Sequence, residues 1–259
     1  MTNITDKVER SINDFAKRSF RDMADRDYLA ARLALRAHLF PQALWSAQQA
    51  LEKYLKYILL VNRIPASQIG HDINAALKLL PQLTFVVELS KPSREFVQHV
   101  ADFGMNRYLE NSYFVSGHTL LELDRAVWDL RRHCQILDVF GKALPAVEQQ
   151  LLAKAKRELD GSASRHPSLF RLHGGLLEEI LDNKKHPSRA ALIWQNAYFS
   201  PRVRRTVAME MNVHFSNAPL YLFPEMLDEL LKFIYLPKPL AASYRKHLEE
   251  IQADPSKRP

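Results

Sequence analysis

The chain of 259 residues contains one cysteine, Cys134, so no disulfide can form within it, and a reducing, cytoplasmic setting is expected. Glycine is scarce, at seven residues, and that scarcity beside abundant Leu and Ala favours helices over sheets. No apolar run approaches the roughly 18 residues of a membrane span, and the opening MTNITDKVERS lacks the apolar stretch of a secretory leader. Neither Cys-x-x-Cys nor His-Glu-x-x-His occurs, and there is no glycine-rich phosphate loop, so no metal and no cofactor are expected. Acidic residues are missing altogether from residues 183–209. That interval holds Lys184, Lys185, Arg189, Arg202, Arg204 and Arg205, six positive charges out of a net +7 for the chain.

The stretch 41–63, PQALWSAQQALEKYLKYILLVNR, is organised at a helical period. Leu44, Ala47, Leu51, Tyr54, Leu55, Ile58 and Val61 fall on one side, and Gln49, Glu52, Lys53, Lys56 and Arg63 on the other. Pro41 suits a first helical turn, Pro65 stops continuation, and Glu52 precedes Lys56 in the favourable i,i+4 order. Residues 1–24 read as a short amphipathic helix or mobile lead-in, followed by a helix capped by Asp25 or Asp27 and running to about 39. Asp72 caps a short helix, Ser90-Lys91-Pro92 opens another that weakens at Gly104, and Thr119-Leu120-Leu121-Glu122 is a capping-box pattern for a helix reaching Gly141.

Beyond Gly141 the pattern predicts helices over 145–159, 168–181 (with Gly174-Gly175 inside), 188–199, 224–236 and 240–252, and a turn at 160–162. Residues 203–215 fit both a strand and a helix face, so a short hairpin near 203–223 stays open beside the helical alternative. The expected class is all-α: a lead-in at 1–24, an antiparallel bundle at 25–141, a helical C-terminal region at 142–253 and a disordered tail at 254–259.

The series Asp27-Tyr28-Leu29-Ala30-Ala31-Arg32, Ala47-Gln48-Gln49-Ala50-Leu51-Glu52-Lys53-Tyr54-Leu55-Lys56 and Gly70-His71-Asp72-Ile73, with Asn106-Arg107-Tyr108 later, resembles the HEPN domain (higher eukaryotes and prokaryotes nucleotide-binding). The resemblance covers about residues 25–140. It implies a helical bundle that binds RNA or a nucleotide, homodimerisation, and a nucleotidyltransferase partner in some relatives. Catalytic members are metal-independent ribonucleases of stress, toxin–antitoxin or antiviral defence, with Arg, four to six residues, then His. A histidine moves the 2′-hydroxyl proton and an arginine neutralises the phosphate. Here the positions after Arg107 hold Ser112, Tyr113 and Phe114, and His118 comes later than the motif allows. Arg107 and His118 remain the candidate catalytic pair only if the intervening loop folds His118 back toward Arg107, set against a structural arginine or a phosphate contact at Arg107. A non-catalytic dimerisation or docking protein is the alternative reading.

The acid-free interval carries its own candidate. Its six basic residues surround Trp194, Tyr198 and Phe199, the composition of a nucleic-acid contact in which cations meet phosphates and aromatic faces meet bases. A solvated basic face over a buried aromatic stripe has the same composition. Cys134, on an apolar helix face, reads as a buried inert thiol, and His71 as a structural residue before a helix start.

Overall fold

The computed structural model describes residues 4–104, 113–135, 146–162, 164–209, 212–215 and 219–258. The chain divides into two compact units, Met1–Met105 with His118–Met209, and Asn106–Gly117 with Glu210–Pro259. Among the described residues the fold is all-α apart from one pair of three-residue strands.

In the first unit, α1 (Ile4–Ala16), a π-helical turn (Lys17–Arg21) and α2 (Asp22–Arg36) run on as one helix, so the lead-in is helical and docked. Residues 37–39 reverse the chain, with His38 in the left-handed region (φ 57°) and Leu39 N–H donating to Ala34 O at 2.8 Å. Then comes α3 (Phe40–Val61), with Pro41 in its first turn, where a missing N–H costs nothing. It packs against α1, α2, α4 (Ile73–Leu79), α5 (Lys91–Phe103) and α6 (Thr119–Arg131), making it the strut of the bundle. Leu51, Tyr54, Leu55, Ile58 and Leu59 are fully buried on it. At about 1.5–3 kcal/mol for each large apolar side chain, this burial outweighs any single surface ion pair.

Helix α3 is buried on more than the face its apolar period marks. Glu52, expected on the polar side, is only 3% exposed. Its carboxylate accepts from Lys56 Nζ at 2.7 Å, as the i,i+4 order foresees, and also lies 3.1 Å from His71 Nδ1. Asp72 caps α4, its Oδ1 accepting from Ala75 N–H at 3.0 Å. Gly104 closes α5 where a Cβ would come within 2.6 Å of Gln48 Cβ, so the two helices approach at a distance only glycine allows.

Several boundaries differ from the sequence reading. The N-cap of α6 is His118, so Thr119 lies inside the helix instead of capping it, and the helix ends at Arg131. Helix α7 (Ala146–Ser162) continues through the expected turn. The helix expected over 168–181 is a 3-10 turn at Pro167–Leu169 followed by α8 (Leu176–Asp182), and the one over 188–199 shrinks to α9 (Arg189–Ile193).

In the second unit, β1 (Tyr113–Val115) pairs antiparallel with β2 (Val213–Phe215), Phe114 opposite His214. The strand is thus the outcome at 213–215, with a distant partner in place of a local hairpin, while residues 203–209 lack regular structure. A small core of Leu220, Leu227, Leu236, Ala241 and Tyr244 joins α10 (Pro219–Leu222), α11 (Leu227–Leu230) and α12 (Lys238–Ala253). In the tail, Pro255–Lys257 form a 3-10 turn.

After α6, His133 is buried with its ring stacked on Phe85 at 5.8 Å, and among the described residues neither ring nitrogen has a hydrogen-bond partner. Burial, aided by the neighbouring Arg132 charge, lowers its pKa to about 3. An unfolded chain takes up this proton near pH 6.5, whereas the folded one waits until about pH 3. Stability should therefore fall as pH drops below 6.5, by up to about 1.4 kcal/mol per pH unit. Urea denaturation at pH 7.5, 6 and 5 checks this; His133→Phe should flatten the decline, and an unchanged slope in that variant contradicts the assignment.

Candidate functional site

Two buried guanidinium groups organise the first unit. Arg131, 1% exposed, sits between two carboxylates. Its Nε and Nη2 donate to Asp25 Oδ1 and Oδ2 at 2.7 and 2.9 Å, and its Nη1 and Nη2 donate to Glu178 Oε1 and Oε2 at 2.8 and 2.7 Å. Tyr54 Oη donates to Asp25 Oδ1 at 2.6 Å, and Leu172 N–H donates to Glu178 Oε1 at 3.0 Å. Burial alone would push the Glu178 carboxyl up, but the Arg131 guanidinium and these donors hold it below its ordinary range. Gly175 lies directly against this pair: a Cβ there would stand 2.1 Å from Glu178 Oε2 and 2.6 Å from Arg131 Nη2. The Gly174-Gly175 step, which looks in sequence like a helix defect, is therefore a close approach to a buried ion pair, with Gly174 O accepting from Arg21 Nη2 at 2.6 Å.

Arg32, also 1% exposed, pairs with Asp124, whose Oδ1 accepts from Tyr28 Oη at 2.7 Å as well. Its remaining donors leave the bundle: Nε donates to Ala191 O at 3.1 Å and Nη2 to Trp194 O. Asn196, fully buried, donates to Tyr28 Oη at 2.8 Å and accepts from the Phe199 N–H at 2.7 Å. Between Trp194 and Asn196 the chain turns at Gln195 in the left-handed region (φ 51°), a conformation costing on the order of 1 kcal/mol for a residue with a Cβ. That turn sends Asn196 into the bundle and leaves Trp194 half-buried at the surface.

Trp194 lines a cleft of about 650 Å³ together with Arg36, Gln195, Ser200, Arg202 and Arg204, among others. The Arg36 guanidinium stands over the indole, 5.2 Å from its centroid. Arg204 Nη1 donates to Gln195 Oε1 at 3.3 Å. Among the described residues none of these three arginines is paired with a carboxylate.

Of the residues singled out in sequence, Arg202 and Arg204 meet in this cleft. Lys184, Lys185 and Arg205 are exposed outside it, and Arg189 donates from Nε to Leu181 O at 3.2 Å. Trp194 and Tyr198 do not share a helix face, because α9 ends before them. Tyr198 Oη accepts from Arg125 Nε at 2.8 Å, and Phe199 packs edge-on to Tyr28 at 5.5 Å, so these two aromatics belong to the bundle. Arg107 lies outside the described residues, and His118 is exposed at the start of α6. Cys134 is fully buried, and burial pushes its thiol pKa up, which suits an inert side chain. Among the described residues no cluster of three potential metal ligands occurs, and no helix is long and apolar enough to cross a membrane. Sequence reading missed Arg36 and the buried pairs; Arg36 stands four residues beyond Arg32 on α2, but nothing local marks it as facing Trp194.

Residues 18–126, from the π-helical turn before α2 into α6, match the family model of the HEPN domain. That domain supports membership of a superfamily of nucleotide-binding and ribonuclease-type proteins. No curated protein and no solved structure matches the chain.

Removing one member of the Arg131 cluster leaves uncompensated charge in the interior. Arg131→Met should cost about 3–5 kcal/mol, because Asp25 and Glu178 stay buried without a cation. Replacing all three by apolar residues of similar volume should recover much of it. Chemical denaturation of the single and triple variants measures both; a single variant as stable as the wild type contradicts the expected cost.

Proposed function

We propose that this protein binds RNA or a nucleotide, and that the basic cleft of Arg36, Trp194, Arg202 and Arg204 is where it does so. The observation carrying the reading is the coincidence of three arginines without carboxylate partners, among the described residues, and an indole around one cavity of about 650 Å³. Such a volume lies in the usual range for small-molecule sites, roughly 300–1,000 Å³. Guanidinium groups suit phosphate oxygens through paired, charge-assisted hydrogen bonds. A merely solvated basic face needs neither a cavity nor an aromatic wall. The HEPN domain supports the same ligand class. Homodimerisation belongs to this reading, since HEPN domains commonly pair, and so does a cytoplasmic setting, in keeping with a single cysteine.

Cleavage is a separate question from binding. Arg107 and His118 are the pair proposed for it, with His118 as the proton-transfer group and Arg107 as the phosphate partner. Incubation of the protein with single-stranded RNA in EDTA, then with Arg107→Ala and His118→Ala, assigns them. Cleavage that persists in both variants removes the pair from the mechanism while leaving the binding reading untouched.

Binding is expected to weaken with salt, as phosphate neutralisation releases counterions. Arg202→Ala with Arg204→Ala should lower affinity for single-stranded RNA and flatten the log–log salt slope by about 1.4, from roughly 0.7 per phosphate contact on a single strand. Fluorescence anisotropy between 50 and 300 mM salt reads both. An unaltered slope places the contact elsewhere; no salt-dependent binding by the wild type rules out the function.

A further inference from the structure

The cleft is more specific than a patch of positive charge. Its aromatic wall is held from behind: Arg32, itself paired with Asp124 in the interior, fixes the carbonyls of Ala191 and Trp194, and buried Asn196 anchors the chain two residues on. The indole is thereby carried on a segment fixed at both ends, though the helix before it has stopped. Strain at Gln195 accompanies that placement, and its side chain steadies Arg204 and accepts from Ala208 N–H at 3.3 Å. Backbone strain that its surround holds in place clusters at binding and switch sites.

Resting on the binding function above, we propose that the Arg36–Trp194 pair is a stacking platform for one unpaired base, with the adjoining phosphates on Arg202 and Arg204. The ligand class that follows is single-stranded RNA, in preference to a duplex or a free inorganic anion. A base inside a duplex is already stacked on both faces and cannot reach an indole at the wall of a cleft. An exposed base gains from stacking on indole or guanidinium planes, whichever of the four bases it is. Inorganic phosphate satisfies the arginines but leaves the aromatic pair without a role. The platform therefore sets a preference for unstacked strands, independent of sequence.

The test uses the full chain and a 5′-fluorescein-labelled 12-nucleotide oligouridylate, a 12-base-pair blunt RNA duplex, and inorganic phosphate as competitor. Wild type should bind the single strand at least about tenfold more tightly than the duplex. Trp194→Leu should weaken the single strand by about 5- to 150-fold, the scale of one lost base–aromatic stack, and change duplex binding by less than about twofold. Trp194→Phe, which keeps an aromatic face, should recover most of the loss, a recovery that a purely structural role for the indole gives no reason to expect. Circular dichroism and thermal unfolding check that the variants fold. Should Trp194→Leu fail to fold, Arg36→Gln takes its place and should again weaken the single strand selectively. Equal affinity for strand and duplex, with no effect of either variant, overturns the platform yet leaves electrostatic RNA binding standing. Competition by millimolar phosphate as complete as by unlabelled oligouridylate also overturns it. No salt-dependent binding of any RNA removes both readings together.

Discussion

The fold of the first unit depends on charge taken out of water and repaid in kind. Arg131 and Arg32 are each about as buried as the leucines around them. Two isolated guanidinium groups in that position would cost several kcal/mol each. They are tolerated because every arm is engaged: Arg131 spans two carboxylates, and Arg32 spans one carboxylate and two backbone carbonyls. The apolar packing of α3 supplies the bulk of the stabilisation, but it is indifferent to which segment covers the bundle. The directed hydrogen bonds are what discriminate, admitting only a segment with Glu178, a bare Gly175 and carbonyls at Ala191 and Trp194 in the right places.

This division of labour links interior to surface. The same Arg32 that neutralises Asp124 also decides where the backbone at Trp194 runs, so the chemistry of the cleft is set by a pair with no exposure of its own. Asn196 works in parallel, closing its amide on Tyr28, Leu192 and the N–H groups of Tyr198 and Phe199. The cleft is rigid at its root and lined at its rim by exposed Arg36 and Arg202, whose long side chains are able to adapt to a ligand.

How much of this was legible in the sequence follows from the range of each cause. Helix α3, the Asp72 cap and the end of α5 at Gly104 are set by residues within a few positions of one another, and periodicity with capping rules found them. The burial of Glu52 was not visible, because it needs His71 from beyond a loop. Helix α9 ends sooner than its periodicity suggests because Trp194 turns extended and Gln195 left-handed, a path held by Arg32 bonds from far along the chain. Residues 203–215 fit both a strand and a helix face, the helical context tips the reading toward helix, and the distant strand at Tyr113–Val115 makes 213–215 a strand instead. Composition located the basic interval, yet only the folded chain separates Arg202 and Arg204, in the cleft with Arg36, from Lys184, Lys185 and Arg205 outside it.

The ion pairs also bear on the order in which the molecule is made. Asp25 meets Arg131 across 106 positions, and Tyr28 meets Asn196 across 168. On a ribosome, the early helices emerge with Asp25, Tyr28 and Arg32 facing inward long before their counterparts have been synthesised. A charged interior of that kind gains its first counter-charges once residues 124 and 131 have emerged, and its full set of hydrogen bonds only once residues 178–196 have followed.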